Sequence, residues 1–316
     1  MIYLAPLQGF TDFVYRNAYA RVFSGIDAFF IPYITTKGSQ ILNKYTKEIL
    51  PENNRFATAI PQILVKDEDE IFVMCSLLRN YGYGEINLNL GCPYPMVTNR
   101  GKGSKLLSEP GQLDRLLAFF FEHFNLELSV KMRAGFESVN DLERIIPVLN
   151  RFPLKRVILH PRVARQLYKG EIHTAVFQYA LGHLEQIPVY NGDIDSVSGF
   201  QQRAKLFPGI SDWMLGRGVL KNTFLPEEIK GVLFSEAEKR NKLQEFHNLI
   251  FEKYLEIADN PGNALNKLQQ FWIYFSHHFS DQPNVLKLVR KSKNVQILKI
   301  ETEKLFRSKE LTKTNQ

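Results

Sequence analysis

The chain has 316 residues, 44% of them hydrophobic, which is enough for one barrel-sized domain and a smaller second domain. Its two cysteines, Cys75 and Cys92, exclude the disulfide framework of a small secreted protein, and no apolar run has the length of a membrane span. The formal net charge of +7 favours a polyanionic partner. We therefore expect a cytoplasmic protein with no targeting segment and no membrane contact.

Short apolar segments rich in β-branched and aromatic residues recur along the first two-thirds of the chain. Eight of them are predicted as strands, at residues 2–5, 28–31, 59–64, 85–89, 128–132, 156–160, 188–191 and 212–216. Intervening segments such as 67–81, 112–124 and 140–149 place apolar residues at helical spacing. Eight alternating units predict an α/β fold of the (β/α)8 TIM-barrel type. A doubly wound sheet would need a GxGxxG turn after an early strand, and the sequence has none.

The pattern after residue 235 is helical only. Segments 236–259, 264–279 and 285–306 carry apolar residues three and four positions apart, with proline-containing breaks between them. We therefore predict a barrel domain at 1–235 and a small all-α domain at 236–316. Four basic residues cluster near the last segment: Lys287, Arg290, Lys291 and Lys293. Such a cluster is an ordinary solvated helical face or, together with the net positive charge, an RNA-binding surface.

Cys92 lies on a turn flanked by Gly91 and Pro93, directly after the fourth predicted strand. Strands of a parallel barrel present catalytic groups at their C-terminal ends. A thiol with an ordinary pKa of about 8.5 stays protonated at neutral pH and can act as a general acid. The alternative is a buried structural cysteine at a tight turn, and this is how we interpret Cys75 in its apolar run.

Basic side chains stand at the ends of the next two strands. Lys131 lies in the apolar fifth strand, Arg133 follows on the same side, and His160 ends the sixth strand. Positive charge at this place would suit the N1/O2 edge of a flavin, which becomes anionic on reduction. The alternatives are a lysine whose head extends to solvent at the rim and a structural histidine.

The loops after the seventh and eighth strands are where barrels commonly bind phosphate. Here the first contains Asn191 and Asp193, and the second contains Gly216 and Arg217. Glycines let the backbone approach a phosphate closely, and an arginine can bind it through two parallel hydrogen bonds. The two loops together predict an FMN site without a metal. Residues after the first and third strands are predicted to complete its wall: Pro6, Leu7 and Gln62.

Five motifs together resemble those of the bacterial tRNA-dihydrouridine synthases: residues 5–12 (APLQGFTD), 89–93 (NLGCP), 129–135 (SVKMRAG), 191–193 (NGD) and 214–218 (MLGRG). The resemblance covers nearly the whole chain. It implies reduction of the C5–C6 bond of a tRNA uridine by FMN that NADPH has reduced, with Cys92 as the proton donor. It also implies that FMN contacts seven of the residues named above: Gln62, Lys131, His160, Asn191, Asp193, Gly216 and Arg217.

The subtype that acts at tRNA position 16 is the most similar. Asn89, Arg133 and Tyr168 match the positions at which this subtype recognises the flipped uracil, and segment 267–275 resembles its helical tRNA-binding domain. The sequence departs from the family pattern at four positions. Leu7 replaces a methionine, Pro161 and Val163 replace the glycine and threonine of an HGRT motif, and Gln269 replaces a basic residue.

Two other functions are consistent with parts of this pattern. One is a small-molecule FMN oxidoreductase of the dihydroorotate dehydrogenase type, which shares the barrel and the pyrimidine chemistry. The other is a tRNA-binding protein without catalytic activity. The basic helical tail argues against the first, and the presence of Cys92, Lys131 and His160 argues against the second. We expect a monomer.

Overall fold

Eight parallel strands close into a barrel in the computed structural model, which describes residues 1–37 and 40–312. Each strand lies between its neighbours in sequence, and the last pairs with the first through Trp213 and Ile2. The strands are β1 (Ile2–Leu4), β2 (Ala28–Ile34), β3 (Ala59–Ile63), β4 (Glu85–Leu90), β5 (Glu127–Gly135), β6 (Arg156–Val163), β7 (Val189–Tyr190) and β8 (Trp213–Leu215). This confirms the predicted TIM barrel. The strands β2, β5 and β6 are longer than predicted, and β1, β3, β7 and β8 are shorter by one or two residues.

Helices cover the outside of the barrel. They are α1 (Phe13–Val22), α2 (Asn43–Ile49), α3 (Glu68–Asn80), α4 (Pro95–Thr98), α5 (Pro110–His123), α6 (Asp141–Leu149), α7 (Thr174–His183), α8 (Val197–Leu206), α9 (Arg217–Lys221) and α10 (Leu225–Ile229). Side-chain caps set several of the starts. The carboxylates of Asp12 and Asp67 accept hydrogen bonds from the first turns of α1 and α3, at 3.2 and 3.0 Å. A two-stranded hairpin (Thr36–Lys37 with Gln40–Ile41) follows β2.

The barrel interior changes from apolar to polar along the strands. Tyr3, Phe30 and Ile60 belong to a buried apolar cluster inside it. Gln62 lies two residues after Ile60 and therefore on the same face of β3. Its side-chain amide donates to the Asn87 side-chain oxygen at 2.7 Å. The Asn89 side chain in turn donates to the Gln62 side-chain oxygen at 2.7 Å, so the buried amides of this layer satisfy one another. This polar layer forms the floor beneath the strand ends.

The C-terminal tail is a helical bundle. It contains α11 (Glu236–Ile257), α12 (Pro261–Phe275), α13 (Gln282–Lys291) and α14 (Val295–Ser308). The third predicted helical segment, 285–306, is therefore wrong as one helix. The chain is extended at Ser292, and the Asn294 side chain caps a new helix by accepting from the Ile297 N–H at 2.9 Å. Two short helices replace one long one.

The tail packs on the barrel through α1. Phe246 of α11 contacts Tyr15 and Phe23 edge-on, with ring centroids 5.3 and 5.5 Å apart. The Tyr254 hydroxyl donates to the buried Asp12 carboxylate at 2.8 Å. These contacts place α11 and α12 beside the loop that follows β1. Across residues 1–37 and 40–312, no helix is long and apolar enough to cross a membrane.

Candidate active site

The C-terminal ends of the strands surround a cavity of about 370 Å³. It brings together the predicted catalytic and cofactor residues and three predicted substrate residues: Pro6, Leu7, Gln62, Asn89, Cys92, Lys131, Arg133, His160, Tyr168, Asn191, Asp193, Gly216 and Arg217. It does not include Lys287, Arg290 and Lys291, which are exposed on α13. The strand ends therefore converge as predicted, while the basic cluster lies elsewhere on the molecule.

The turn that carries Cys92 is held by hydrogen bonds to its backbone. The Asn89 side-chain oxygen accepts from the N–H groups of Gly91 and Cys92 at 3.0 and 2.9 Å. The Cys92 carbonyl accepts from the Ser104 hydroxyl at 2.9 Å. Gly103 has φ +64°, and a Cβ there would lie 2.8 Å from the same carbonyl oxygen, so only glycine fits. Asn89, predicted as a substrate contact, is thus also a positioning residue for the thiol.

The Cys92 thiol is 7% exposed and remains protonated at neutral pH. Burial raises its pKa above the ordinary value. The nearby Tyr94 backbone N–H and Tyr33 hydroxyl, together with the charge of Arg133, partly oppose this increase in the pKa. A protonated thiol at the wall of a cavity can donate a proton to a bound molecule. By contrast, Cys75 is fully buried in α3, as expected for a structural cysteine.

Lys131 faces the same cavity from β5, where it pairs in register with Asn89 of β4. Burial lowers the pKa of its ammonium group to about 7, and the nearby Arg133 adds to the decrease. Within the described part of the chain, the Lys131 ammonium has no hydrogen-bond or ion-pair partner. Lys131 is partly buried, and a partly buried cation without a counter-ion is costly, so this site favours a ligand that is anionic or rich in electrons.

Arg162 is a positioning residue that the sequence prediction missed. Its guanidinium lies 3.3 Å from His160 Nε2, pairs with Asp193 at 2.5 Å and donates to the Gly170 carbonyl at 2.9 Å. Burial, together with Lys131 and other cations, lowers the pKa of His160 well below its ordinary value, so the ring is neutral. A neutral ring that accepts at Nε2 carries its proton on Nδ1. Its place as the arginine of the HGRT-like motif is the sequence signal that could have identified Arg162.

The departures from HGRT leave this arrangement intact. The register of the β5–β6 pairing shifts around Pro161. Before the shift His160 pairs with Arg133, and after it Val163 pairs with Gly135. A bulge is a position where a strand tolerates proline. Val163 contributes its backbone carbonyl, which accepts from Arg133 at 3.0 Å and needs no side-chain hydroxyl.

Two arginines enclose the Tyr168 ring. The guanidinium carbons of Arg133 and Arg217 lie 5.4 and 5.0 Å from its centroid, within the range of cation–π contacts. Arg217 also pairs with Asp193 at 3.0 Å. Burial alone would raise the pKa of Asp193, but Arg162 and Arg217 hold it below its ordinary value. The aromatic ring and both guanidinium groups are thus fixed at one side of the cavity.

Close packing joins the two loops predicted to bind phosphate. A Cβ on Gly218 would lie 2.1 Å from the Ile194 carbonyl oxygen, so any larger residue would push the loops apart. The Asn191 side chain donates to the Met214 carbonyl at 2.8 Å, which ties the end of β7 to β8. The loops form one continuous wall.

Four aromatic residues of the cavity wall were missed: Phe10, Tyr33, Tyr94 and Tyr274. Tyr33 lies in β2 beyond its predicted end, so a longer strand would have revealed it. Tyr274 comes from tail helix α12 and packs edge-on against Phe10, with centroids 4.9 Å apart. No local signal marks that contact. The cavity is therefore lined by the tail as well as by the barrel.

Gln269 caps the C-terminal end of α13, the helix that carries three residues of the basic cluster. Its side-chain amide donates to the carbonyls of Val289 and Ser292 at 3.2 and 3.0 Å, at the C-terminal end of α13. A lysine or arginine could donate to the same carbonyls, so glutamine at this position still fits the end of the helix. The neighbouring basic side chains of the cluster remain exposed.

Comparisons with known proteins identify the same family over nearly the whole chain. A family model described as Dihydrouridine synthase (Dus) matches residues 3–308. A tRNA-dihydrouridine(16) synthase of Neisseria meningitidis serogroup B is 25% identical over 304 residues, covering 93% of this chain and 91% of that protein. One of Aquipseudomonas alcaligenes is 24% identical, covering 93% and 96%. A tRNA-dihydrouridine synthase B of Pasteurella multocida is 25% identical, covering 83% and 78%.

Proposed function

Because this chain belongs to the dihydrouridine synthase family, oxidoreductases that form dihydrouridine in tRNA, we propose that it reduces the C5–C6 bond of the uridine at position 16. We propose FMN as its cofactor, NADPH as the reductant and the cytoplasm as its location, with the protein acting as a monomer. Position 16 is supported by the names of two relatives that match 93% of this chain.

The observation that carries the proposal is the shared cavity of Cys92 and Lys131. A protonated thiol and a partly buried ammonium group face one space from neighbouring strands. When bound, reduced FMN supplies the hydride that adds to C6 of uracil. The Cys92 thiol then donates its proton to C5, so that the hydride and the proton together complete the reduction.

The cavity fits FMN in size and in chemistry. Its volume is within the range of roughly 300–1,000 Å³ that is typical of cofactor pockets. We assign Lys131 and His160 to the flavin ring, because the ammonium group has no counter-ion among the described residues. Gln62 and Asn191 provide amides, and Arg217 provides the cation for the phosphate. The apolar and small residues that pack against the cofactor are Pro6, Leu7 and Gly216.

We assign the wall that contains Cys92 and Tyr168 to the uracil. Tyr168 offers an aromatic face with Arg133 beside it, and an unpaired base extruded from RNA is commonly recognised by stacking and by hydrogen bonds to its edges. Asn89 completes this contact set. We assign residues 1–235 to catalysis and 236–316 to tRNA binding, with residues 313–316 lying outside the described part. Tyr274 supports this assignment because it places the tail at the cavity.

The proposal predicts that the purified protein takes up FMN and that tRNA reoxidises the reduced flavin. Under anaerobic conditions, NADPH would reduce the bound FMN, and tRNA transcribed without modification would restore the oxidised absorption spectrum. Fully modified tRNA serves as the control and should restore little of the oxidised absorption. Reoxidation by orotate instead of tRNA would favour the small-molecule oxidoreductase. A protein that takes up no FMN would contradict the flavoenzyme assignment.

Lys131 is expected to make FMN binding depend on pH. Its pKa is about 7 without ligand, and an electron-rich ring beside it would raise that value. Protonated Lys131 then binds FMN more tightly, so the affinity should be constant just below pH 7 and fall by up to about tenfold per pH unit above it. Fluorescence titration of FMN between pH 7 and 9 measures this directly.

Two variants separate this effect from general loss of binding. Lys131→Met should remove the dependence between pH 7 and 9, because no group at that position titrates. Arg217→Ala should weaken binding at every pH and keep the dependence, since a guanidinium stays charged throughout. A pH dependence that survives in Lys131→Met would assign it to another group.

A further inference from the structure

Tyr33 packs beside Cys92 from an element that the motifs do not include. It lies next to the last residue of β2, lines the cavity, and packs against the buried cluster of Leu64, Cys92 and Val97. Its hydroxyl lies close enough to the Cys92 thiol for each group to affect the pKa of the other. The contact therefore joins β2 to the turn after β4 at the atom that would release the proton.

Loss of the thiol proton creates a charge that this environment must stabilise. When the S–H bond breaks and the C5–H bond forms, the electron pair stays on sulfur, and a buried thiolate is disfavoured. Four groups face the sulfur or lie near it: the Tyr33 hydroxyl, the Tyr94 backbone N–H, the Arg133 guanidinium and the Tyr168 hydroxyl. The Arg133 guanidinium donates hydrogen bonds to the carbonyls of Gly91 and Val163, and these bonds fix the position of its positive charge.

We propose that Tyr33 is a second catalytic residue, whose hydroxyl donates a hydrogen bond to the Cys92 sulfur as the thiol proton passes to C5 and stabilises the thiolate that remains. This rests on the proposed function. The proton balance is complete without Tyr33 losing its own proton, since solvent reprotonates Cys92 after the product leaves. Burial raises the pKa of the Tyr33 hydroxyl, which therefore remains a donor throughout.

The test is Tyr33→Phe, which keeps the ring that packs against Leu64 and Val97 and removes only the hydroxyl. A hydrogen bond to a charged sulfur is stronger than one between neutral groups. We expect the pH profile of Cys92 alkylation by iodoacetamide to move up by about one pH unit. Uridine reduction should slow by on the order of tenfold, and reduction of FMN by NADPH should be unchanged. Cys92→Ala provides the alkylation background.

The matched control is Tyr45→Phe. Tyr45 is a buried tyrosine near Tyr33 that does not line the cavity, so its variant should keep the wild-type alkylation profile and rate. Thermal melting establishes that each variant is folded, and Tyr33→Met serves as a second apolar replacement. A folded Tyr33→Phe with a wild-type alkylation profile would overturn the proposal, even if uridine reduction slowed. Alkylation needs neither FMN nor tRNA, so failure of the proposed function would be seen separately, in the wild-type protein.

Discussion

Replacing Cys92 with alanine is expected to slow dihydrouridine formation by about 10²–10⁴-fold, the usual contribution of a general acid. Reduction of bound FMN by NADPH should stay at the wild-type rate. Asn89 accepts a hydrogen bond from the Cys92 N–H and Ser104 donates one to the Cys92 carbonyl, so the substitution removes the thiol and leaves the turn in place. Stopped-flow measurement of flavin reduction and of its reoxidation by tRNA separates the two half-reactions.

Cys75→Ala is the matched control for this experiment. Cys75 is fully buried in α3 and does not line the cavity, so both half-reactions should remain at the wild-type rate. Loss of its small side chain should cost stability of only about 1 kcal/mol. If Cys92→Ala reduced uridine at a rate near that of the wild type, Cys92 would not be the acid.

Neutralising the basic cluster is expected to produce the second large effect. Glutamine at Lys287, Arg290, Lys291 and Lys293 removes four exposed charges from α13 and the turn after it. Each lost phosphate contact lowers the slope of log affinity against log salt by about 0.7–0.9, so four contacts lower it by about 3. Near 0.1 M salt this corresponds to a loss of tRNA affinity of about 10²–10³-fold. Filter binding over a range of salt concentrations measures both quantities.

A second quadruple variant controls for total charge. Arg79, Arg115, Arg144 and Lys205 are exposed on the outer barrel helices, and their replacement by glutamine changes the net charge equally. That variant should keep the slope of the wild type. If both variants bound tRNA like the wild type, the RNA surface would lie elsewhere and the cluster on α13 would be a solvated helical face.

The barrel could be predicted because its signals are local. Each buried strand is a short apolar run, and each following helix has its own spacing, so eight units can be counted without knowing how they pair. The position of Cys92 and Lys131 at strand ends follows from the same count, because parallel strands in a closed barrel share one catalytic face. The side chains that line the cavity are thus largely predictable.

The missed parts depend on contacts between distant segments. Arg162 acts through Asp193 and Gly170, and Tyr274 reaches the cavity because α12 packs beside the loop after β1. No periodicity within one segment encodes such contacts. The division of 285–306 into two helices involves a capping side chain within the segment, Asn294, and one from another helix, Gln269. The ends of β2, β5 and β6 were underestimated, and Tyr33 was missed because it lies beyond the predicted end of β2.

The most direct test of the account is to map dihydrouridine, position by position, in tRNA from a strain whose gene for this protein has been deleted. The account predicts that dihydrouridine disappears at position 16, returns with the wild-type gene, and does not return with Cys92→Ala. Loss of dihydrouridine at another position would support the proposed activity and contradict the assignment to position 16. Unchanged dihydrouridine at every position, in a strain without another enzyme of this family, would contradict the central claim.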